Sequence, residues 1–219
     1  MTIRAGLSGF CLSFLISVVG GRQIQNLAQP ELLNVALCSG GRRFPVQFAH
    51  RQAEREGNNG RQTPYNFDNL AGSVFTILTG SVDPAATCFL ASESLLARST
   101  LLSIAAPEGS GACLQRGRFA TLRDRPVIHC WPIARMAPEK QVALLEFDRR
   151  GKDALASLVF VDGTRTIFAD YLAEFRGARQ DLWKVDDGGV LSPEGFKIVC
   201  ALQRGGWYAL GVAWPGGEG

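Results

Sequence analysis

Beyond position 70 the chain alternates apolar and polar residues in many short runs, the period-two pattern of strands that bury one face. Residues 73–79 are β-branched and aromatic and sit between Gly72 and Gly80, which predicts a strand. The same reasoning predicts strands over 87–91, 100–105, 117–122, 127–131, 141–147, 154–161, 164–169, 182–185, 196–202 and 207–214. One turn of helix is expected over 95–98. Asp162-Gly163 is a type I′ hairpin dipeptide between two apolar runs, and Arg204-Gly205-Gly206 turns the last pair. In the final run Tyr208, Leu210, Val212 and Trp214 share one face, while Trp207, Ala209, Gly211 and Ala213 share the other. Many short strands at short spacing predict a mainly β fold, an antiparallel sandwich or a partly open barrel.

Upstream of position 70 the pattern changes. Residues 30–37 place apolar side chains at helical spacing, with Pro30 suited to a first turn and Gly40-Gly41 to a stop. A second short helix is expected over 44–55, closed by Gly57-Asn58-Asn59-Gly60, which with Gln62-Thr63-Pro64 reads as a linker. At the amino end Arg4 precedes positions 5–19, which carry no charge and are dominated by Leu, Ile, Val and Phe; Gly20-Gly21 follow. A basic start, a short apolar run and small residues form the secretory pattern. The run of about 15 residues falls short of the roughly 20 a membrane-crossing helix needs. Cleavage after Gly20 or after Ala28 fits, and an uncleaved anchor or an ordinary core helix are the alternatives. Cys11 follows Phe10, where a lipobox needs a small residue. The expected organisation is a signal peptide or anchor over 1–20, a helical and loop extension over 21–70 and a β-rich domain over 71–219.

Charge narrows the partners. With 23 Lys and Arg against 20 Asp and Glu the net charge is +3, and the basic residues are dispersed. Nucleic-acid binders concentrate them in a stripe. Arg42-Arg43 and the series Arg116, Arg118, Arg123, Arg125 are the densest groups, the second broken by Asp124, and neither accompanies a known nucleic-acid motif. Nucleic acid is therefore not the expected partner, and a membrane enters only through an uncleaved amino-terminal segment. The expected partner is a ligand or protein whose identity the sequence leaves open.

Six cysteines are present: Cys11, Cys38, Cys88, Cys113, Cys130 and Cys200. Removing a leader leaves five, enough for two bridges and one free thiol. Cys88 with Cys113, around the flexible 107–111 stretch, and Cys130 with Cys200, both in strand-like runs, are the expected partners; a buried free thiol is the alternative for Cys130 or Cys200. No CxxC spacing supports a thiol redox site or a structural zinc site.

Catalytic signals are sparse. His50 and His129 are the two histidines, too few for a three-histidine metal site. His129 adjoins Cys130 on a strand, so the two side chains point to opposite faces and do not form a nucleophile–base pair. A hydrolase would use His129 as general base with a distant serine, oriented by Asp124, Asp148 or Asp170. No nucleophile elbow supplies that serine, and Gly109-Ser110-Gly111 is a loop. Asp186-Asp187-Gly188-Gly189 lacks the ligand series of a calcium loop and reads as a turn. Glu146 and Asp148 share a strand face, which a solvated polar edge explains as well as a glycosidase pair does. Trp131, Trp183, Trp207, Trp214, Tyr171 and Tyr208 lie in or beside strands. Such residues fill a core or line a ligand or glycan surface, and Trp131, Trp183 and Tyr208 are the binding candidates. No cofactor motif is present, neither dinucleotide fingerprint nor phosphate loop. The expected function is an exported, non-catalytic domain that binds a ligand or partner or serves the cell envelope; a His129 hydrolase is the alternative.

Overall fold

The computed structural model describes residues 2–6, 29–38, 41–58, 66, 68–83, 86–174 and 191–213. The fold is mainly β, with antiparallel sheets that do not close into a barrel. The chain forms two compact units, Met1–Leu102 with Ile198–Gly219, and Ser103–Lys197.

The first unit is built on five strands, β1 (Thr2–Gly6), β2 (Val35–Cys38), β3 (Arg42–Gln52), β4 (Gly72–Ile77) and β5 (Cys88–Ala91), in the order β1-β4-β3-β2-β5. Pro30 to Leu32 form a single tight turn, after which the run expected to continue as a helix is extended as β2. The second expected helix is likewise a strand, β3. The reason lies in β2: Val35 and Leu37 join one apolar cluster while Ala36 and Cys38 join another. A strand apolar on both faces reads as a continuous apolar run, which periodicity alone does not separate from a helix. The β3–β4 ladder, from Val46↔Ile77 to Gln52↔Gly72, joins the chain on both sides of the break expected at position 70.

On one face of this sheet β2 and β5 pack against a three-stranded sheet of β6 (Thr100–Leu101), β11 (Lys197–Arg204) and β12 (Trp207–Ala213). The short helix α1 (Glu93–Leu96) precedes β6, its N-cap Ser92 accepting from the Leu95 N–H. The β11–β12 hairpin turns at Gly205-Gly206 as expected, with Gly205 at φ +55°. Gly211 lies where a Cβ would come 2.8 Å from Cys200 Sγ and 3.0 Å from the Phe89 ring.

The second unit is a four-stranded meander, β7 (Val127–Ala137), β8 (Lys140–Phe147), β9 (Asp153–Asp162) and β10 (Arg165–Glu174), in the order β10-β9-β8-β7. The β9–β10 loop is Gly163-Thr164, flanked by the pair Asp162↔Arg165. The turn is thus centred one residue later than the dipeptide rule placed it, with Gly163 supplying the left-handed φ of +56°. The strand expected over 117–122 is instead the helix α2 (Arg116–Arg123). Its Phe119 is fully buried, edge-on to Phe168 at 6.1 Å, and covers Ala143, Leu145 and Val159 of the sheet. Asp124 ends the helix in the left-handed region, where a short polar side chain is tolerated.

Two disulfides staple the units, one in each. Cys38 pairs with Cys88 across the directly opposed position of β2 and β5, and Cys113 pairs with Cys130, Cα atoms 5.7 Å apart. This replaces the expected pairing of Cys88 with Cys113 and Cys130 with Cys200. Cys88 is opposed to Cys38 by sheet register, and Cys113 belongs to the other unit. Cys200 is a buried free thiol whose pKa burial pushes up from 9.0 to about 12. Disulfides mark an oxidising, extracytoplasmic environment. Among the described residues no helix is long and apolar enough to cross a membrane. Of the leader or anchor expected over 1–20, residues 1 and 7–20 lie outside the described residues, whereas Thr2–Gly6 forms the edge strand β1.

Candidate functional site

Strand β7 lies at one edge of the second unit's sheet, and its register shifts between Val127 and His129. Because of that bulge, Val127 and Cys130, three residues apart, both reach the cluster under α2. His129 and Trp131 alternate with Cys130 and so share the other face. Their rings stack at 5.2 Å between centroids with 20° between planes. Register places Glu146 of β8 opposite His129, and His129 Nδ1 lies 2.9 Å from Glu146 Oε2. The imidazole side chain is 59% exposed and the carboxylate 24%. Glu146 thus fixes the ring through Nδ1, as acidic partners of histidine do, and leaves Nε2 to an incoming group.

The carboxylates expected to orient His129 have other duties. Asp124 pairs with Arg150, and Asp148 accepts from the Arg149 N–H. Asp170 accepts from Arg123 Nη2 at 2.5 and 2.7 Å and from the buried Ser157 hydroxyl at 2.7 Å, while the Arg123 guanidinium lies 4.2 Å over the Phe168 ring. Glu146 entered the sequence reading only as a neighbour of Asp148; the missing information was which β8 residue faces His129. Among the described residues Glu146 is the single hydrogen-bond partner of His129, so no serine, threonine or cysteine completes a nucleophilic triad there. Ser110 is an exposed residue before the turn at Gly111–Gln115. No group of three potential metal ligands occurs among the described residues.

The remaining aromatic candidates disperse. Tyr208 is buried on β12 in the first unit, in the position of a core side chain. Trp207 is part-buried against a core cluster. Tyr171 is buried edge-on to Phe196 at 5.6 Å, and burial raises its phenol pKa above the ordinary value. Trp183, Trp214 and the Asp186-Asp187 turn lie outside the described residues. A groove of about 230 Å³ in the first unit is lined by Glu31, Leu33, Asn34, Val46, Gln47 and Phe48, and contains no histidine or cysteine.

Arginines of the second unit are used mainly as internal fasteners. Arg118 donates to the Thr164 carbonyl, Arg125 to the Asp153 carbonyl at 2.9 Å, and Arg135 to Glu108. Arg116 Nη2 donates to the carbonyls of Val127 and Ile128 at 3.1 and 3.3 Å, closing the backbone just ahead of His129. This distribution removes the α2 series as a basic stripe.

No family model, curated protein sequence or solved structure matches the chain.

Proposed function

We propose that the chain is an exported, non-catalytic binding domain that uses the His129–Trp131 stack as its contact surface for a flat ring, a sugar being the best fit. One observation carries the reading: an exposed imidazole is stacked on a tryptophan and held in place by Glu146 at 2.9 Å. Ordered aromatic surface at a sheet edge costs little further entropy to use, and ring faces suit the apolar faces of sugars. Two disulfides support export, and the apolar segment over 5–19 supports a leader. The His129–Glu146 bond also favours a second reading, a hydrolase in which His129 is the general base.

Having two histidines makes the test direct. In ¹⁵N-histidine-labelled protein, neutral and acidic oligosaccharides are titrated while both imidazoles are followed by NMR. The expected result is a saturable shift of His129 with His50 unmoved, lost in Trp131→Ala. No shift with any sugar overturns the proposal. Cleavage of a sugar that disappears in His129→Gln transfers the chain to the hydrolase reading.

A further inference from the structure

We infer that the ligand of this surface carries an ammonium group and that Glu146 binds it, so that the preferred ligands are amino-sugar oligomers; this rests on the ring-binding reading above. Glu146 lies at the stack itself: sheet register opposes it to His129, and its Oε2 is 2.9 Å from His129 Nδ1. That bond uses one carboxylate oxygen. Among the described residues the other, Oε1, has no hydrogen-bond partner, and no lysine or arginine pairs with the charge. Two similarly exposed carboxylates of the same sheet are matched, Asp162 by Lys140 and Asp170 by Arg123. Glu146 has instead an imidazole, which donates from Nδ1 without needing to carry a charge.

The carboxylate is also held in place, because the ring it bonds is stacked on Trp131. It is mostly withdrawn from water, where an unmatched charge is more costly and gains more from an opposite one than in bulk solvent. A sugar ring laid on the stack therefore meets an oriented acceptor at its rim. A sugar hydroxyl would satisfy Oε1, but an ammonium does so with a charge-assisted bond, roughly twice as strong. Indole faces attract cations too, so Trp131 and Glu146 select the same sign of ligand. An acidic sugar would set like charges against each other, which specific surfaces use to reject a partner.

The experiment uses the full wild-type chain and three oligomers matched in length and linkage, of glucosamine, N-acetylglucosamine and glucose. Binding is read from the His129 ring resonances at neutral pH and low salt, with His50 as internal reference. The glucosamine oligomer is expected to bind roughly tenfold or more tightly than either neutral one, the scale on which a charge-assisted hydrogen bond exceeds a neutral one. That margin is expected to shrink as salt is raised. Glu146→Gln keeps an acceptor for the His129 Nδ1–H and removes the charge, and it is expected to erase the preference. Equal affinity for the three oligomers, or a preference that survives in Glu146→Gln, overturns the inference while leaving the ring-binding reading in place. A margin that salt does not reduce overturns it as well, and this outcome is read on wild type whether or not Glu146→Gln folds and binds. A His129 signal that no oligomer moves overturns both readings. A linear triamine without rings that binds as tightly as the glucosamine oligomer also overturns the inference, because a general cation site would then suffice.

Discussion

Gly211→Ala sets two effects of opposite sign against each other. Gly211 sits in the interior of β12 with ordinary strand backbone, so a methyl group brings no backbone strain. Reduced freedom of the unfolded chain would by itself stabilise the variant by about 0.4–1 kcal/mol. The added Cβ, however, arrives 2.8 Å from Cys200 Sγ and 3.0 and 3.3 Å from two Phe89 ring atoms, inside a buried cluster. Overpacking of this kind costs about 1–3 kcal/mol, so the clash wins and the variant is expected to be destabilised by about 1–2 kcal/mol. Cys200→Ala removes the nearest atom and leaves a small cavity costing about 1 kcal/mol. In the double variant the methyl group introduced at position 211 enters the vacated space. Its loss should therefore fall below the sum of the singles by about 1 kcal/mol, with Phe89 preventing full relief. Urea unfolding followed by tryptophan fluorescence gives all four corners of the cycle. Additive losses, or a more stable Gly211→Ala, would refute the packing argument.

Wild type and Cys200→Ala also test the thiol. Cys200 has its pKa raised to about 12 by burial, so the fold favours the neutral form. That contribution is complete below about pH 9 and is lost as pH rises toward 12, at about 1.4 kcal/mol per pH unit. Tyr171 is raised by burial too and adds its own alkaline loss. The measured quantity is therefore the difference between wild type and Cys200→Ala, which should shrink above about pH 9 and then reverse in favour of Cys200→Ala as pH approaches 12; a constant difference would count against the buried-thiol assignment. Non-reducing peptide mapping should recover Cys38 joined to Cys88 and Cys113 joined to Cys130. With sequence separations of 50 and 17, the chain-entropy model assigns about 4 and about 3 kcal/mol to the two bridges. Double serine variants should lose stability in that order, and the reverse order would contradict the model here. Asp170→Ala strands the fully buried Ser157 hydroxyl and the Arg123 guanidinium, an expected loss of at least about 1–3 kcal/mol. Glu93→Ala breaks a pair whose side chains are 48% and 59% exposed and should cost no more than about 1 kcal/mol; similar losses in thermal melts would refute the ranking.

The runs of β8, β9, β11 and β12 were legible in the amino-acid sequence because short apolar stretches between turn residues are a local signal, even though each of these strands buries consecutive residues. Gly205-Gly206 and Gly163 were legible as turns for the same reason, since left-handed backbone selects glycine at the position itself. What failed did so where local pattern was ambiguous or silent. β2 is a short apolar run behind Pro30, a helix-start signal, and its continuous burial does not separate strand from helix; α2 takes its helical form while Phe119 packs on a sheet formed later in the chain. Pairing of Cys38 with Cys88, and of His129 with Glu146, depends on register between strands separated by up to 50 residues. His129 and Trp131 were each visible as single residues. That they form one oriented surface was decided by the bulge in β7 and its pairing with β8, because side-chain direction at a sheet edge is a property of the assembled ladder.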